Sequence, residues 1–258
     1  MTRRRWIADE VRGDVATLIG EHAFHLSRVL RAQVGQEFDI ATGDTVRRGR
    51  ITSISDDRVE FALDEELLGK CAAHLTIVLA VFKFDRMEWA IEKCTELGVA
   101  RIIPLIARRT DSHLAAAANK RHERWQRIAR QASEQSRRAG APEIALPIKL
   151  NGLSGVGNLL AADGAVDMGA KKIVLAESET ETGLRDLLSS GPAGRPSEVV
   201  LAVGPEGGWG EDELKWFHDS GWAAATLGGT ILRAETAAIV AVALALDALR
   251  GYSARAVC

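Results

Sequence analysis

Apolar residues change their period along this chain. Up to about residue 67 they alternate with polar ones. Glu37-Phe-Asp-Ile-Ala-Thr42, Arg50-Ile-Thr-Ser-Ile-Ser55 and Val59-Glu-Phe-Ala-Leu63 each put their apolar side chains on one face of an extended run, the pattern of strands with one solvated face. Thr42-Gly-Asp-Thr45 separates two of them as a turn. Within this stretch His22–Arg31 spaces Phe24, Leu26, Val29 and Leu30 as a helix would, leaving His25, Arg28 and Arg31 toward the polar side. Asp64–Lys70 is polar and glycine-bearing. A small β-rich domain over residues 1–70 and a larger domain over 71–258 are therefore expected.

From Leu75 the apolar runs become nearly continuous. Leu75–Val81 predicts a strand covered on both faces. Asp85 and Glu88 stand in capping-box spacing ahead of a helix whose stripe is Met87, Ile91, Cys94 and Leu97, with Gly98 as its stop. Arg101–Ile106 predicts the next strand, and Pro104 inside it an edge or an irregularity. Lys120–Arg138 predicts a helix with Trp125, Ile128, Ala129 and Ala132 on its buried side. Strands follow at Ile173–Ala176, Val199–Val203 and Ala223–Leu227, with helical segments between. Such alternation implies an α/β domain, a parallel sheet with helices on both faces. Ala234–Leu249 is apolar nearly all round and so predicts a buried helix, covered by its own domain or by a second copy of the chain. Residues 152–170 are Gly- and Ala-rich and carry little pattern.

Composition narrows the class. An apolar fraction of 47% and a charged fraction of 26% are those of a globular protein. The net charge of −2 hides an asymmetry: thirteen Lys/Arg stand against seven Asp/Glu over residues 71–138, and nine against fifteen over 139–258. A basic middle third suits a polyanionic partner. Three scattered cysteines, Cys71, Cys94 and Cys258, offer neither a disulfide framework nor a zinc site and point to a reducing compartment. The six histidines have no metal-ligand spacing, with His113 and His122 expected on the surface. The basic start leads into Asp9-Glu10 and not into an apolar run, and Ala234–Leu249 is too short to span a bilayer. A cytoplasmic protein without metal or membrane is expected.

Chemistry concentrates in two glycine-bearing turns. Val203-Gly-Pro-Glu-Gly-Gly-Trp-Gly210 and Leu227-Gly-Gly-Thr-Ile-Leu-Arg-Ala-Glu-Thr-Ala237 each follow a short apolar strand and open a helix. Paired turns of this kind build a pocket from main chain, because glycine lets a ligand approach the backbone. Gly204–Gly208 lacks the Lys-Ser/Thr of a P-loop and contains no cation, and Glu211-Asp-Glu213 follows it. A ligand with adenine and ribose but little phosphate fits better than a triphosphate. Trp209 abuts this pocket; the other tryptophans read as packing anchors.

VGPEGGWGEDEL together with LGGTILRAETA resembles the ribosomal small-subunit methyltransferase E family, within the SPOUT class of RNA methyltransferases. Arg3-Arg-Arg-Trp6, His25-Leu-Ser-Arg-Val-Leu-Arg31, Lys93-Cys-Thr-Glu-Leu-Gly-Val99, Arg124-Trp125, Glu134-Gln-Ser-Arg-Arg138 and Pro142-Glu-Ile144 extend the resemblance, in the family's order, over nearly the whole chain. The resemblance implies a PUA-like RNA-binding β-barrel, then a SPOUT-type parallel sheet ending in a deep trefoil knot. It implies a homodimer, formed through the knot region, that uses S-adenosylmethionine to methylate N3 of a uridine in 16S ribosomal RNA. The cofactor loops would be Ala176-Glu177, Val203-Gly204-Pro205-Glu206-Gly207-Gly208, and Leu227-Gly228 with Ile231-Leu232. Arg233 is the candidate for stabilising the uracil anion, while Glu206 and Glu235 are candidates for accepting the proton or orienting Arg233. Arg4, Arg5, His25, Arg28, Arg31, Arg137 and Arg138 are the candidate RNA contacts. Lys120, Arg121, Arg124, Arg127 and Arg130 add cations along one helix. Where members usually carry a proline and a basic residue before Ile-Leu-Arg, this chain has Gly229-Thr230, which removes a positive charge and loosens the turn. Two other functions share these features: a SPOUT methyltransferase acting on transfer RNA or on a ribose 2′-oxygen, and a catalytically silent RNA-binding or assembly protein.

Overall fold

The computed structural model describes residues 5–43, 45–68, 74–155, 170–189 and 198–250. Two compact units divide the chain, one built mainly on residues 1–72 and 130–141, the other on 73–129 and 142–255.

The first unit is a six-stranded mixed sheet. Strands β1 (Arg5–Ile7), β2 (Glu10–Arg12), β3 (Val15–Ile19), β4 (Glu37–Ala41), β5 (Val46–Ile54) and β6 (Arg58–Leu68) lie in the order β1-β4-β5-β6-β3-β2. All neighbours are antiparallel except β1 and β4. The alternation sorts side chains as expected: Val59, Phe61 and Leu63 go inward with Ile40 and Ile51. Gly49 lets these strands close up, since a Cβ there would stand 2.4 Å from Ile40 Cγ1.

The segment expected as one helix over His22–Arg31 is instead α1 (Glu21–Phe24) running into a π turn at His25–Val29, with the Leu30 amide donating to the His25 carbonyl at 3.0 Å. The wider turn breaks the helical period. Leu26 is buried, while Phe24 and Val29 are 54% and 59% exposed. The three strands before residue 20 have alternations too short to read from sequence.

In the second unit every strand pair is parallel. Strands β7 (His74–Ala80), β8 (Arg101–Ile106), β10 (Ile148–Lys149), β11 (Ala170–Leu175), β12 (Glu198–Val203) and β13 (Ala223–Ala225) run in the order β10-β8-β7-β12-β11-β13, and β9 (Glu143–Ile144) also pairs β8. One face carries α2 (Phe84–Leu97), α3 (Ser112–Gln135, whose last turns belong to the first unit), α4 (Leu184–Ser189) and α6 (Ala234–Arg250). The other is covered by α5 (Glu211–Asp219) and the tryptophans around it.

Several expectations change here. No side chain caps α2; its N-cap is Lys83, so Asp85 and Glu88 form no capping box. Gly98 does end the helix, with φ of 118° and its amide on the Cys94 carbonyl at 3.2 Å. Pro104 lies inside the sheet, opposite Leu79. On the outer flank, however, β9 pairs residues 101–102 and β10 pairs 105–106, so the neighbour is interrupted where proline has no N–H to give. Helix α6 buries Ala238, Ala241, Val242, Ala245 and Leu246 but exposes Val240, Ala243 and Asp247. His122 is half-buried, with a ring nitrogen 2.8 Å from the Ile144 carbonyl. Cys94 is fully buried, and burial pushes its thiol up to about 12, so it packs and does not react.

Candidate active site

The adjacent strands β12, β11 and β13 end on the same side of the sheet, and their carboxyl-end loops enclose a cavity of about 760 Å³ in the second unit, within the ~300–1,000 Å³ of small-molecule sites. Ligands of open parallel sheets sit at this end of the strands. The loop after β11 is braced by Glu179, which accepts from the Glu181 and Thr182 amides at 2.8 and 2.9 Å. Those amides, Thr182 first, hold its carboxyl below the usual carboxylate range. Thr226 and Thr182 join the loops after β13 and β11 through backbone bonds.

The turn after β12 is built around two glycines and Trp209. Gly208 has φ of +68°, and its amide closes the turn onto the Pro205 carbonyl at 2.8 Å. A Cβ at Gly204 would meet the Trp209 ring at 3.2 Å, so glycine is what admits the indole. Trp209 is buried, donates Nε1–H to the Leu175 carbonyl at 2.9 Å, and lies edge-on to Phe217 at 4.9 Å. It is thus a strut between two strand ends, and it also lines the cavity.

Glu213, buried in the first turn of α5, secures the far side. Its Oε2 accepts from the Gly210 amide at 2.8 Å and its Oε1 from the Arg108 amide at 2.8 Å. Arg108 also pairs with Asp212, and Arg109 donates Nη1–H to the Gly207 carbonyl at 2.7 Å. The loop after β8 is therefore stitched to the glycine turn at one point and to the start of α5 at two.

Of the residues expected to hold a cofactor, all but Gly207 line the cavity: Ala176, Glu177, Val203, Gly204, Pro205, Glu206, Gly208, Leu227, Gly228, Ile231 and Leu232. Gly207 instead gives its carbonyl to Arg109. Gly228 has φ of +126° with nothing within 4 Å of its missing Cβ, leaving open space where a ligand needs it. Arg233 lines the cavity and is exposed, as is Glu206. Glu235 is buried and does not line it; its Oε1 lies 3.8 Å from Arg86 Nε and its Oε2 has no hydrogen-bond partner among the described residues. The Glu235 partner is thus Arg86 and not Arg233.

Sequence reading missed Arg86 and Arg109, both on the cavity wall. A signal for them exists: each closely follows the carboxyl end of a parallel strand, β7 or β8, the ligand end of such sheets.

The candidate RNA contacts gather in the first unit. Arg5 donates to the Arg137 carbonyl. Burial lowers its guanidinium, against the raising effect of Asp39. His25 is edge-on to Trp6 at 5.7 Å, and Arg28 pairs through two nitrogens with Asp56 at 2.9 and 2.6 Å. Arg31 and Arg137 are exposed and have positive φ, 51° and 58°. Arg138 is half-buried, and Arg4 lies outside the described residues. Other cations of α3 are engaged elsewhere: Arg124 on Glu88 at 2.7 Å, Arg121 over the Phe84 ring at 4.6 Å, and Arg130 on Asp9 at 2.7 Å and the Ile7 carbonyl at 2.8 Å. No group of three or more His, Cys, Asp or Glu among the described residues could hold a metal ion.

Comparison with known proteins meets this geometry. The family model described as an RNA methyltransferase domain matches residues 70–246. A ribosomal RNA small subunit methyltransferase E from Mycobacterium tuberculosis is 32% identical over 238 residues, covering 89% of this chain and 85% of its own. The chain belongs to that family. Another member, from Bacillus subtilis, is 30% identical over 246 residues, covering 91% of this chain and 92% of its own. The crystal structure of the family's Neisseria gonorrhoeae protein, bound to S-adenosyl methionine, superposes with a TM-score of 0.74 at 27% identity, covering 96% of this chain and 98% of that one. Family membership gives the cavity, which backbone and apolar walls enclose, a chemical context.

Proposed function

We propose that this chain binds S-adenosylmethionine at the ends of β11, β12 and β13 and methylates N3 of a uridine in 16S ribosomal RNA. The observation that carries the reading is the cavity itself: three loops at adjacent strand ends, with open backbone at Gly228, in a member of this family. The fit to an adenosyl group rests on the lining. Leu175, Val203, Leu227, Leu232 and Ala237 supply apolar wall. The cavity's arginines, Arg86, Arg109 and Arg233, stand on three separate elements among the carboxylates of Glu177, Glu179, Glu206 and Glu211, not gathered in the glycine turn as a triphosphate would need.

When bound, the cofactor supplies an electrophilic methyl group on sulfur. The chain's own residues do the rest. The three loops hold the reactants in line, which contributes ~7–11 kcal/mol to lowering the barrier. Glu206, exposed on the cavity wall, accepts the imide proton as N3 gains the methyl group. Arg233, exposed at the same wall, stabilises the negative charge that develops on the uracil oxygens. Glu235 holds Arg86 in place. Arg4, Arg5, His25, Arg28, Arg31, Arg137 and Arg138 receive the RNA backbone. The same reading carries the finer fold assignments: a PUA-like domain in the unit built on residues 1–72 and 130–141, in place of 1–70 alone, a knotted SPOUT domain in the other, a homodimer, and residence in the cytoplasm.

Arg233→Ala is expected to abolish methyl transfer to ribosomal RNA while calorimetry shows S-adenosylmethionine binding unchanged. Equal loss of both would reduce Arg233 to a support of the loop. Absence of any heat with the wild-type chain would favour the catalytically silent alternative.

A further inference from the structure

One corner of the cavity carries opposite charges side by side. A carbon placed where the Cβ of residue 208 would stand lies 3.8 Å from Arg109 Nη1 and 3.9 Å from Glu177 Oε2. Residue 208 is glycine in the left-handed region, so no side chain fills that corner. Both charged groups line the cavity, and both residues are exposed to what enters it. Arg109 has a fixed position because Nη1 also donates to the Gly207 carbonyl at 2.7 Å, while the arm of the side chain runs along Gly207, 3.5 Å from where its Cβ would be. The guanidinium has five N–H groups in a planar fork, so anchoring one leaves others for a ligand.

We infer that Arg109 and Glu177 form a recognition corner for a zwitterionic α-amino-acid head, Arg109 taking its carboxylate and Glu177 its ammonium. The inference rests on the cofactor reading above and names which end of that ligand lies in this corner. Charge decides against an RNA phosphate as the occupant. A phosphate diester brings only negative charge, whereas the same wall presents the exposed carboxylates of Glu177 and Glu206. A zwitterion satisfies both signs at once. The other two cavity arginines have different situations, Arg86 facing buried Glu235 at 3.8 Å and Arg233 standing on the loop after β13. Arg109 is thereby a positioning and binding residue that reaches the turn across 98 residues of chain.

Calorimetry on the full chain with three ligands tests this: S-adenosylmethionine, S-adenosylhomocysteine and 5′-methylthioadenosine, the last lacking the amino-acid head. The wild type is expected to bind the first two at least about tenfold more tightly than the third, the scale of one charge-assisted hydrogen bond. Arg109→Met and Glu177→Gln are each expected to weaken the first two by about tenfold and leave 5′-methylthioadenosine unchanged, with Arg109→Lys restoring part of the loss. Glu177→Gln alters an exposed side chain and carries the test if Arg109→Met unfolds the protein. Equal weakening of all three ligands, or a wild type indifferent to the head group, would overturn the inference and leave Arg109 as a brace of the turn. Failure of the wild type to bind any of the three would instead overturn the cofactor reading, and this inference with it.

Discussion

Trp209 concentrates several constraints in one side chain. Its N–H satisfies the Leu175 carbonyl, its ring lies against Gly204, and its edge meets Phe217. Trp209→Phe keeps an aromatic ring but leaves that carbonyl without its donor, a loss of about 1–3 kcal/mol when a buried group is left unpaired. A lower midpoint in thermal or urea denaturation is the expected outcome, with weaker S-adenosylmethionine binding by calorimetry; an unchanged midpoint would mean the carbonyl finds another donor. At this scale the sequence was legible where contacts are local. The two glycine turns stand out because left-handed backbone and open space select glycine within a few residues of a strand. Arg109 does not stand out, because its bond to Gly207 closes a gap of 98 residues. The partner of Glu235 was equally hidden: nothing in the spacing of Arg233 and Glu235 shows that Arg86, on another helix, stands nearer.

Elements were legible in proportion to their length and period. Strands β7 and β12 read as continuous apolar runs because both faces are covered, and β5 and β6 as alternating ones because each has a wet face. β9 and β10, two residues each, have no period to detect. The π turn at His25–Val29 defeats a helical template, since it inserts a wider loop into the pattern. Helix α5 shows how an element end is fixed by one buried side chain. Glu213 accepts two backbone amides, from Gly210 and Arg108. Glu213→Ala would orphan both, and a destabilisation of about 2–4 kcal/mol is expected from roughly 1–2 kcal/mol per unpaired donor, read from denaturant midpoints. In the first unit, burial pushes the Asp9 carboxyl up, but the nearby His22 ring, 3.8 Å away, and hydrogen bonds from the Ile19 amide and the Arg130 guanidinium outweigh it and hold it below the usual carboxylate range. The folded value is then lower than the unfolded one, so the stabilisation is complete above about pH 4 and drains away as pH falls through the lowered value. Asp9→Asn is expected to flatten the acid limb of a melting-temperature profile; parallel limbs for variant and wild type would refute the assignment.

For the whole molecule, the apolar character of Ala234–Leu249 left burial inside the domain and burial against a second copy both open. α6 buries one side in the second unit and exposes Val240, Ala243 and Asp247 on another. If that line meets its counterpart in a second subunit, light scattering will return twice the chain mass of 27.8 kDa, and Val240→Arg will return the mass of one chain. A wild type that scatters as a single chain would exclude the homodimer. The class of the second unit was readable from strand–helix alternation alone, whereas its connection to the family needed the two motifs.

The first unit takes its closing piece from far along the chain. Arg130 bonds to Asp9 and Ile7, Ala139 receives the Gly43 amide at 3.2 Å, and a side-chain carbon at Gly140 would collide with the Gly43 carbonyl at 2.5 Å. The polypeptide therefore leaves this unit, builds part of the other, and returns before leaving again. A gene fragment ending at codon 72 would encode six strands stripped of a clasp, with Asp9 robbed of its guanidinium. Recombination that swaps the amino-terminal third alone would meet the same obstacle, and so this sheet is bound to be inherited together with the helix whose last turns clasp it.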